Sequence, residues 1–240
     1  MHPRIDVITI GVADLGRARS FYADGLRGRV AEERHDLLRL DFGAGASTLE
    51  LRPADTLGAG FRGFTLSYIV ESAAAVDGVL ARTLRAGATL AKPPQRALWG
   101  YSAYVADPSG HLWKLASSKR KPLIARDADT DETATAKEIV LTIGVADLKR
   151  AKRFYAEELG WSTKKSYSKF VCLDGGDGSD LAMYGWDDLA ADAGVSPEGE
   201  GPRGLTLRGS GDSAEHFTDV DGFAWEIGPR PPVQAPSTQR

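Results

Sequence analysis

The sequence contains few residues that could form covalent cross-links or a cluster of soft metal ligands. Its 240 residues include one cysteine and four histidines. A single cysteine excludes an intrachain disulfide and is typical of a protein from a reducing compartment. Because Cys172 lies in an apolar segment that predicts a strand, we interpret it as buried apolar filler rather than as a reactive thiol.

The sequence also lacks a long apolar run and an excess of charge of either sign. No run approaches the roughly 20 apolar residues of a membrane span, and residues 1–6 do not form the apolar region of a signal peptide. The formal net charge is −3, which gives no electrostatic reason to expect a nucleic acid or an anionic membrane as a partner. We therefore expect a cytoplasmic globular protein.

What the sequence does contain is an internal repeat. The stretch Thr-Ile-Gly-Val-Ala-Asp-Leu at residues 9–15 returns letter for letter at residues 142–148, and each copy continues into Arg-Ala-x-x-Phe-Tyr. Identity of this length at a constant offset indicates two related domains.

The first copy shows the order of elements within each domain. Residues 6–12 are rich in β-branched side chains and predict a strand, and Asp14 can cap the amphipathic helix that follows. Short strands are predicted near 37–42 and 47–52, and a weaker version of the same pattern runs from 64 to 116. The pattern predicts an α+β fold, in which β-α-β-β-β modules occur in pairs.

Composition divides the chain into four segments. A basic and then acidic stretch at 119–137 predicts a solvated linker between a first domain at 1–118 and a second domain at 138–228. The proline-rich end, 229–240, predicts a disordered tail.

The second domain is shorter than the first in its last module. Gly204 corresponds to Gly63 and Phe217 to Val105, but these two anchors are 42 positions apart in the first copy (105 − 63) and 13 in the second (217 − 204). We therefore expect the second copy to lack the helix and roughly two strands of this module. The strand edges left by the deletion would need cover, which a homodimer could supply.

Three motifs point to a known scaffold. They are the repeated strand–Asp-Leu–helix–Phe-Tyr unit, Trp-Gly-Tyr at 99–101 and Asp-Pro-x-Gly-His-x-Trp at 107–113. Together they resemble the vicinal oxygen chelate superfamily, which includes glyoxalase I, extradiol dioxygenases and bleomycin-resistance proteins. The resemblance covers nearly all of 5–118 and, with the deletion, 138–228. It implies a tandem two-domain member whose paired modules curl into open, ligand-holding cups, and it does not specify an activity.

The resemblance also implies eight positions at which enzymes of this kind hold a divalent metal. In this sequence these positions are occupied by Val7, Glu50, Thr65 and Lys114 in the first copy and by Val140, Ala182, Thr206 and Glu226 in the second. Only the two glutamates could bind a hard cation, because valine donates nothing, a threonine hydroxyl is a poor ligand and lysine is itself a cation. We therefore expect no divalent metal and no other cofactor.

One pairing of modules would bring the two carboxylates together. If the first module of copy one shared a cup with the last module of copy two, Glu50 and Glu226 would converge with Val7 and Thr206. The glutamates could then share a proton for acid–base catalysis or hold a weakly bound cation. Alternatively, Glu50 faces solvent and Glu226 forms an ion pair. The companion cup would hold Lys114, whose positive charge suits an anionic group.

Aromatic side chains are the other candidates for a ligand pocket, because they stack on planar ligands. The predicted pocket residues are Trp99, Tyr101, Trp113 and Trp225, with the polar residues Thr65, Lys114 and Thr206. Trp99 is the strongest aromatic candidate, since its Trp-Gly-Tyr loop has less need of a core tryptophan. Ordinary core packing is the alternative for the others.

Two functions from different classes fit these observations. The first, which we favour, is a metal-free binding protein that holds an aromatic or amphipathic metabolite or antibiotic, in the manner of the bleomycin-resistance proteins. The second is an isomerase, lyase or cyclase that uses Glu50 and Glu226 as acid–base groups or weak metal ligands. The second copy could instead be only a lid or a dimerisation surface. The chain could be a monomeric pseudo-dimer or pair again as a homodimer.

Overall fold

A computed structural model describes residues 4–43, 48–97, 100–119, 131–175, 179–211 and 214–229. The first copy contains β1 (Arg4–Val12), α1 (Leu15–Arg19) with a π-helical turn (Ser20–Gly25), β2 (Arg29–Arg34), β3 (Leu37–Asp41), β4 (Thr48–Pro53), β5 (Ala59–Gly60), β6 (Phe64–Ile69), α2 (Ala73–Arg85), β7 (Thr89–Ala97), β8 (Gly100–Ala106) and β9 (Leu112–Ser117). The second contains β10 (Glu138–Val145), α3 (Leu148–Glu157), β11 (Ser162–Ser166), β12 (Phe170–Asp174), β13 (Leu181–Gly185), α4 (Trp186–Ala193), β14 (Gly199–Glu200), β15 (Leu205–Gly211), β16 (Glu215–Thr218) and β17 (Ala224–Pro229). The α+β class predicted from the pattern is confirmed.

The repeated Asp-Leu corner is a helix cap in both copies. The Asp14 side chain accepts a hydrogen bond from the backbone N–H of Arg17, 2.9 Å away. Asp147 accepts equivalent bonds from the N–H groups of Lys149 and Arg150. These bonds satisfy donors that the first helical turn leaves without a partner, so the chain turns directly from strand into helix.

Each sheet combines strands from both copies. The order of the seven-stranded sheet is β16-β17-β15-β1-β4-β3-β2, and that of the eight-stranded sheet is β11-β12-β13-β10-β6-β9-β8-β7. The central contacts are antiparallel: Thr9 lies opposite Thr206, and Thr142 lies opposite Thr65. The first module of one copy therefore shares a sheet with the last module of the other, which is the pairing that would bring Glu50 and Glu226 together.

The deletion in the second copy is smaller than the sequence suggested. Among the described residues between β15 and β17 there is no helix, but β16 is present and pairs antiparallel with β17. Within the part of the copy that the structure describes, the counterparts of α2 and of β7 are missing. Our expectation of two missing strands was wrong, because a four-residue strand remains where the alignment had placed the end of the gap.

The larger of two apolar clusters among the described residues forms the core between the two sheets and the helices. Along β15, Leu205 and Leu207 point into the core, while Thr206 and Arg208 occupy the opposite face. This alternation is the ordinary period of a half-buried strand. The α2 helix packs against the π-helical turn, so helices from the two modules of the first copy meet in the interior. Among the described residues, no helix is long and apolar enough to cross a membrane.

Two buried tyrosine–aspartate hydrogen bonds join the sheets. Tyr22, in the π-helical turn after α1, donates to Asp107 Oδ2 at 2.8 Å, and Asp107 lies in the turn between β8 and β9 of the eight-stranded sheet. Tyr155, on α3, donates to Asp219 Oδ2 at 2.5 Å, and Asp219 lies between β16 and β17 of the seven-stranded sheet. The Phe-Tyr and Asp-turn motifs therefore form one interaction, present twice.

The end of the linker packs on α2. The Asp131 N–H donates to the Ala74 carbonyl, and the Arg82 guanidinium donates to the Glu132 and Ala134 carbonyls. A Cβ at Gly78 would lie 2.0 Å from the Asp131 carbonyl oxygen, which explains a glycine in the middle of a helix. Residues 120–130 of the predicted linker lie outside the described residues.

We expect Tyr22→Phe to lower the free energy of unfolding by about 1.5–3 kcal/mol, because the buried Asp107 carboxylate loses a donor. Tyr155→Phe should have a similar effect through Asp219. Urea denaturation would measure both, with Tyr167→Phe as the control at an exposed tyrosine. A loss at Tyr22 no larger than at Tyr167 would contradict the proposed link between the sheets.

Candidate functional site

The face of each sheet turned away from the core carries the positions singled out from the sequence. On the seven-stranded sheet, Val7, Glu50, Thr206 and Glu226 lie on β1, β4, β15 and β17, which are neighbouring strands. We call this face the first cup. On the eight-stranded sheet, the corresponding face, here called the second cup, carries Thr65, Lys114, Val140 and Ala182.

Glu50 is the most buried charged group of the first cup, with 1% of its surface exposed. Arg39 Nη2 lies 2.7 Å from Oε1, and Arg208 Nη1 lies 3.0 Å from Oε2. Arg52 Nη2 approaches Oε2 at 3.5 Å. Burial alone would raise the pKa of Glu50, but the hydrogen bond from Arg39 and the charges of the three arginines outweigh it and lower the pKa. The Glu50 carboxylate is therefore ionised at neutral pH.

Arg208 lies between the two glutamates. Its Nη1 is 3.0 Å from Glu50 Oε2, and its Nε is 3.3 Å from Glu226 Oε2. Along the sheet, Arg208 is the direct neighbour of Val7 on one side and of Glu226 on the other. The structure thus brings the predicted carboxylates together on one guanidinium. Their role in acid–base catalysis stays a prediction.

The donors of the first cup do not fit the divalent metal that the scaffold implies. A cation held by Glu50 and Glu226 would have to displace the Arg208 guanidinium and would meet Arg39 and Arg52 beside it. Within the described residues, no group of three or more histidine, cysteine, aspartate or glutamate side chains could hold a metal ion. The groove of about 620 Å³ in the first cup is lined in part by charged residues, including Arg208 and Glu226.

The second cup is a more aromatic cleft. It has two adjoining lobes of about 500 and 600 Å³. Phe170 and Tyr184 line both lobes, with their ring centroids 5.2 Å apart in an edge-to-face arrangement. Tyr104 lines one lobe, and Tyr101 and the exposed Tyr167 line the other.

Lys114 is the charged centre of the second cup. Its Nζ lies 2.6 Å from Asp192 Oδ2, and the same oxygen accepts the Tyr104 hydroxyl. Burial alone would raise the pKa of Asp192, but Lys114, Tyr104 and Lys92 outweigh it and lower the pKa. Lys114 and Asp192 therefore form an ion pair inside the cleft.

Asp192 and the helix that carries it were not foreseen from the sequence. The α4 helix begins with Asp187 and Asp188 in its first turn and ends at Gly194, which is left-handed. Acidic residues at the start and glycine at the end are ordinary helix signals. They could have predicted α4, although not its position over the second cup.

The predicted aromatic pocket is only partly in place. Tyr101 lines the second cup, whereas Trp113 and Trp225 are buried in the core, where Trp113 packs on Tyr22. The prediction that both tryptophans line a pocket was wrong because Trp113 precedes Lys114 on one strand, and consecutive residues of a strand face opposite sides. Trp99 lies outside the described residues.

The remaining predicted residues divide between the cups. Thr65 lies in the floor of the second cup and Thr206 on the first cup. Cys172 also lines the second cup, with 8% of its surface exposed. Burial and the nearby Asp180 raise the pKa of its thiol to about 11, so the thiol is protonated and unreactive at neutral pH.

Comparison with known proteins identifies the scaffold. The family model of the Glyoxalase/Bleomycin resistance protein/Dioxygenase superfamily matches residues 4–115. Residues 4–115 belong to this superfamily. The resemblance inferred from the motifs is thereby confirmed for the first copy.

The fold of the whole chain is also that of solved glyoxalase-like structures. Glyoxalase I from Zea mays is similar with a TM-score of 0.64 and 15% identity, over 94% of this chain and 92% of that one. A putative dioxygenase from Bacillus subtilis is similar with a TM-score of 0.63 and 14% identity, over 95% of this chain and 86% of that one. Identities this low support the shared fold alone. A search of curated protein sequences gave no significant match.

We expect Glu50→Gln to lower the free energy of unfolding at pH 7 by about 1–3 kcal/mol, because three partly exposed guanidiniums lose a buried carboxylate. The wild-type stability that depends on this lowered pKa is complete above the ordinary glutamate pKa of about 4.3 and is lost as the pH falls through the lower folded-state pKa.

Denaturation at a series of pH values would test this expectation. The Glu50→Gln variant should lack the corresponding part of the acid destabilisation, whereas Glu33→Gln, at an exposed glutamate, should retain it. An acid dependence in Glu50→Gln equal to that of the wild type would contradict the lowered pKa.

Proposed function

We propose that this glyoxalase-like protein binds a small organic molecule with an aromatic or amphipathic body in its second cup, without a metal ion. The observation that carries the proposal is the cleft itself, with aromatic side chains around the half-buried Lys114–Asp192 ion pair. Pockets for small ligands are mostly apolar clefts of about 300–1,000 Å³ with a few placed polar groups. Each lobe of the second cup lies in this range.

The metal-free part of the proposal is supported by the protein's own cations. Arg208 lies between the glutamates of the first cup, and Lys114 occupies a position at which related enzymes would hold a metal ligand. The cationic side chain already present at each centre would repel a divalent metal ion. Binding in the second cup should therefore need no metal.

The charge network of the first cup favours binding over acid–base catalysis by Glu50 and Glu226. Two carboxylates share a proton when their charges repel each other. Here the Arg208 guanidinium lies between the two carboxylates and pairs with both, and the lowered pKa of Glu50 keeps it from acting as an acid near neutral pH. A glutamate clamped in this way stabilises the sheet instead.

Fluorescence titration with N-phenyl-1-naphthylamine, an uncharged aromatic probe, tests the proposed cleft. We expect saturable binding, and Tyr184→Ala and Phe170→Ala should each weaken it by about tenfold, because each removes a large apolar wall. Leu90→Ala, at an exposed leucine outside the cleft, serves as the control. No binding by the wild type, or equal losses in the cleft and control variants, would refute the proposal.

Metal analysis tests the metal-free part separately. We expect the purified protein to carry no stoichiometric zinc, nickel, manganese or iron, and its affinity for the probe to be unchanged after dialysis against a chelator. Stoichiometric metal together with loss of probe binding on chelation would show that the cup depends on a cation after all.

A further inference from the structure

The two lobes of the second cup meet at a junction with a distinctive set of side chains. The residues that line both lobes are Lys114, Ala116, Ser117, Lys165, Phe170, Tyr184 and Asp192. This junction combines two aromatic rings with two ammonium groups and one carboxylate. A ligand that occupies both lobes must pass these groups.

Lys165 reaches the junction from the opposite edge of the sheet. It lies on β11, an edge strand, whereas Lys114 lies on β9, and four strands separate them in the sheet order. A register shift between Thr163 and Lys165 interrupts the alternation of β11. Such a bulge re-aims side chains, which explains why the consecutive Lys164 and Lys165 both line the cleft.

The charged residues that line both lobes are Lys114, Lys165 and Asp192, which leaves the junction with one positive charge in excess, and Glu138 lines one lobe only. Lys164 pairs with Asp180, Lys169 with Asp188 and Lys114 with Asp192. Lys165 has no ion pair with any residue that the structure describes. Asp192 is therefore the one carboxylate facing two ammonium groups at the junction. The chain as a whole has a net charge of −3, so this positive charge is local.

We infer that the ligand of the second cup is an aromatic anion, with a carboxylate or sulfonate between Lys114 and Lys165 and a ring against Phe170 and Tyr184. This inference rests on the proposed function and adds the charge of the ligand to it. In the free protein, Asp192 occupies one donor of Lys114 and holds the ammonium in place. The anionic group of the ligand competes with Asp192 for that ammonium.

Two probes that share one aromatic skeleton test the inference. They are 1-anilinonaphthalene-8-sulfonate, which is an anion, and N-phenyl-1-naphthylamine, which lacks the sulfonate. We expect the wild type to bind the anion at least about tenfold more tightly, and this preference should shrink as the salt concentration rises from about 0.05 to about 0.5 M, because salt screens partly exposed charges.

Variants locate the source of the preference. Lys165→Met should weaken binding of the sulfonate by about tenfold and leave the neutral probe unchanged, and Lys114→Met should act in the same direction. Asp192→Asn should tighten binding of the sulfonate, because it removes the competing carboxylate. Lys149→Met, at an exposed lysine on α3, changes the net charge equally and should have no effect. Near-ultraviolet circular dichroism would check that each variant is folded. If Lys114→Met unfolds, the test rests on Lys165→Met, because Lys165 lies on an exposed strand.

The outcomes separate the two proposals. Equal affinity for both probes, or equal loss of both in Lys165→Met, overturns the anion inference while binding of the neutral probe leaves the proposed function standing. Weaker sulfonate binding by Asp192→Asn overturns the competition with Asp192. Failure of the wild type to bind the neutral probe overturns the proposed function itself.

Discussion

The antiparallel pairing of first strands across the two copies is the constraint on which the rest of the structure depends. Because β1 pairs with β15 and β10 with β6, each cup has one wall from each copy. The tyrosine–aspartate bonds then connect modules within one copy, from one sheet to the other. Strand pairing between copies and hydrogen bonding within copies together link the four modules into one folded unit.

This arrangement lets a single position make the cups different. Opposite Val7 on β1 lies Arg208, and opposite the equivalent Val140 on β10 lies Ser67. The arginine joins the carboxylates of the first cup into a network of charges, whereas the serine leaves the floor of the second cup open. A long cationic side chain in one cup and a short hydroxyl in the other distinguish a face covered by ion pairs from an open cleft.

Local signals predicted the repeated scaffold well. The Asp-Leu caps and the starts of the helices behind them depend on neighbours within a few residues, and both lie where the sequence placed them. The convergence of Glu50 and Glu226 was one of two alternatives, and it depended on which modules share a sheet. The arginines around Glu50 were not predicted, because Arg208 is distant in sequence and only the sheet register brings it there. Asp192 was not predicted because it lies on α4, a helix with no counterpart among the described residues of the first copy. The prediction that Trp113 and Trp225 line a pocket was wrong because it considered their aromatic character and not the alternation of side chains along a strand.

The cross-copy register also has a consequence for how the chain reaches its native state. Arg4 pairs with Ser210, so β1 finds its β15 partner only after the long stretch of chain between them has been synthesised. Until then β1 presents an unpaired inner edge, although the helix corner beside it can already form. Contacts this distant in sequence slow folding, because the chain loses the entropy of closing a long loop before the strand pairing can stabilise it. The repeated Asp-Leu corner and its tyrosine, which are local, would therefore order each module early, and the two sheets would close last and together.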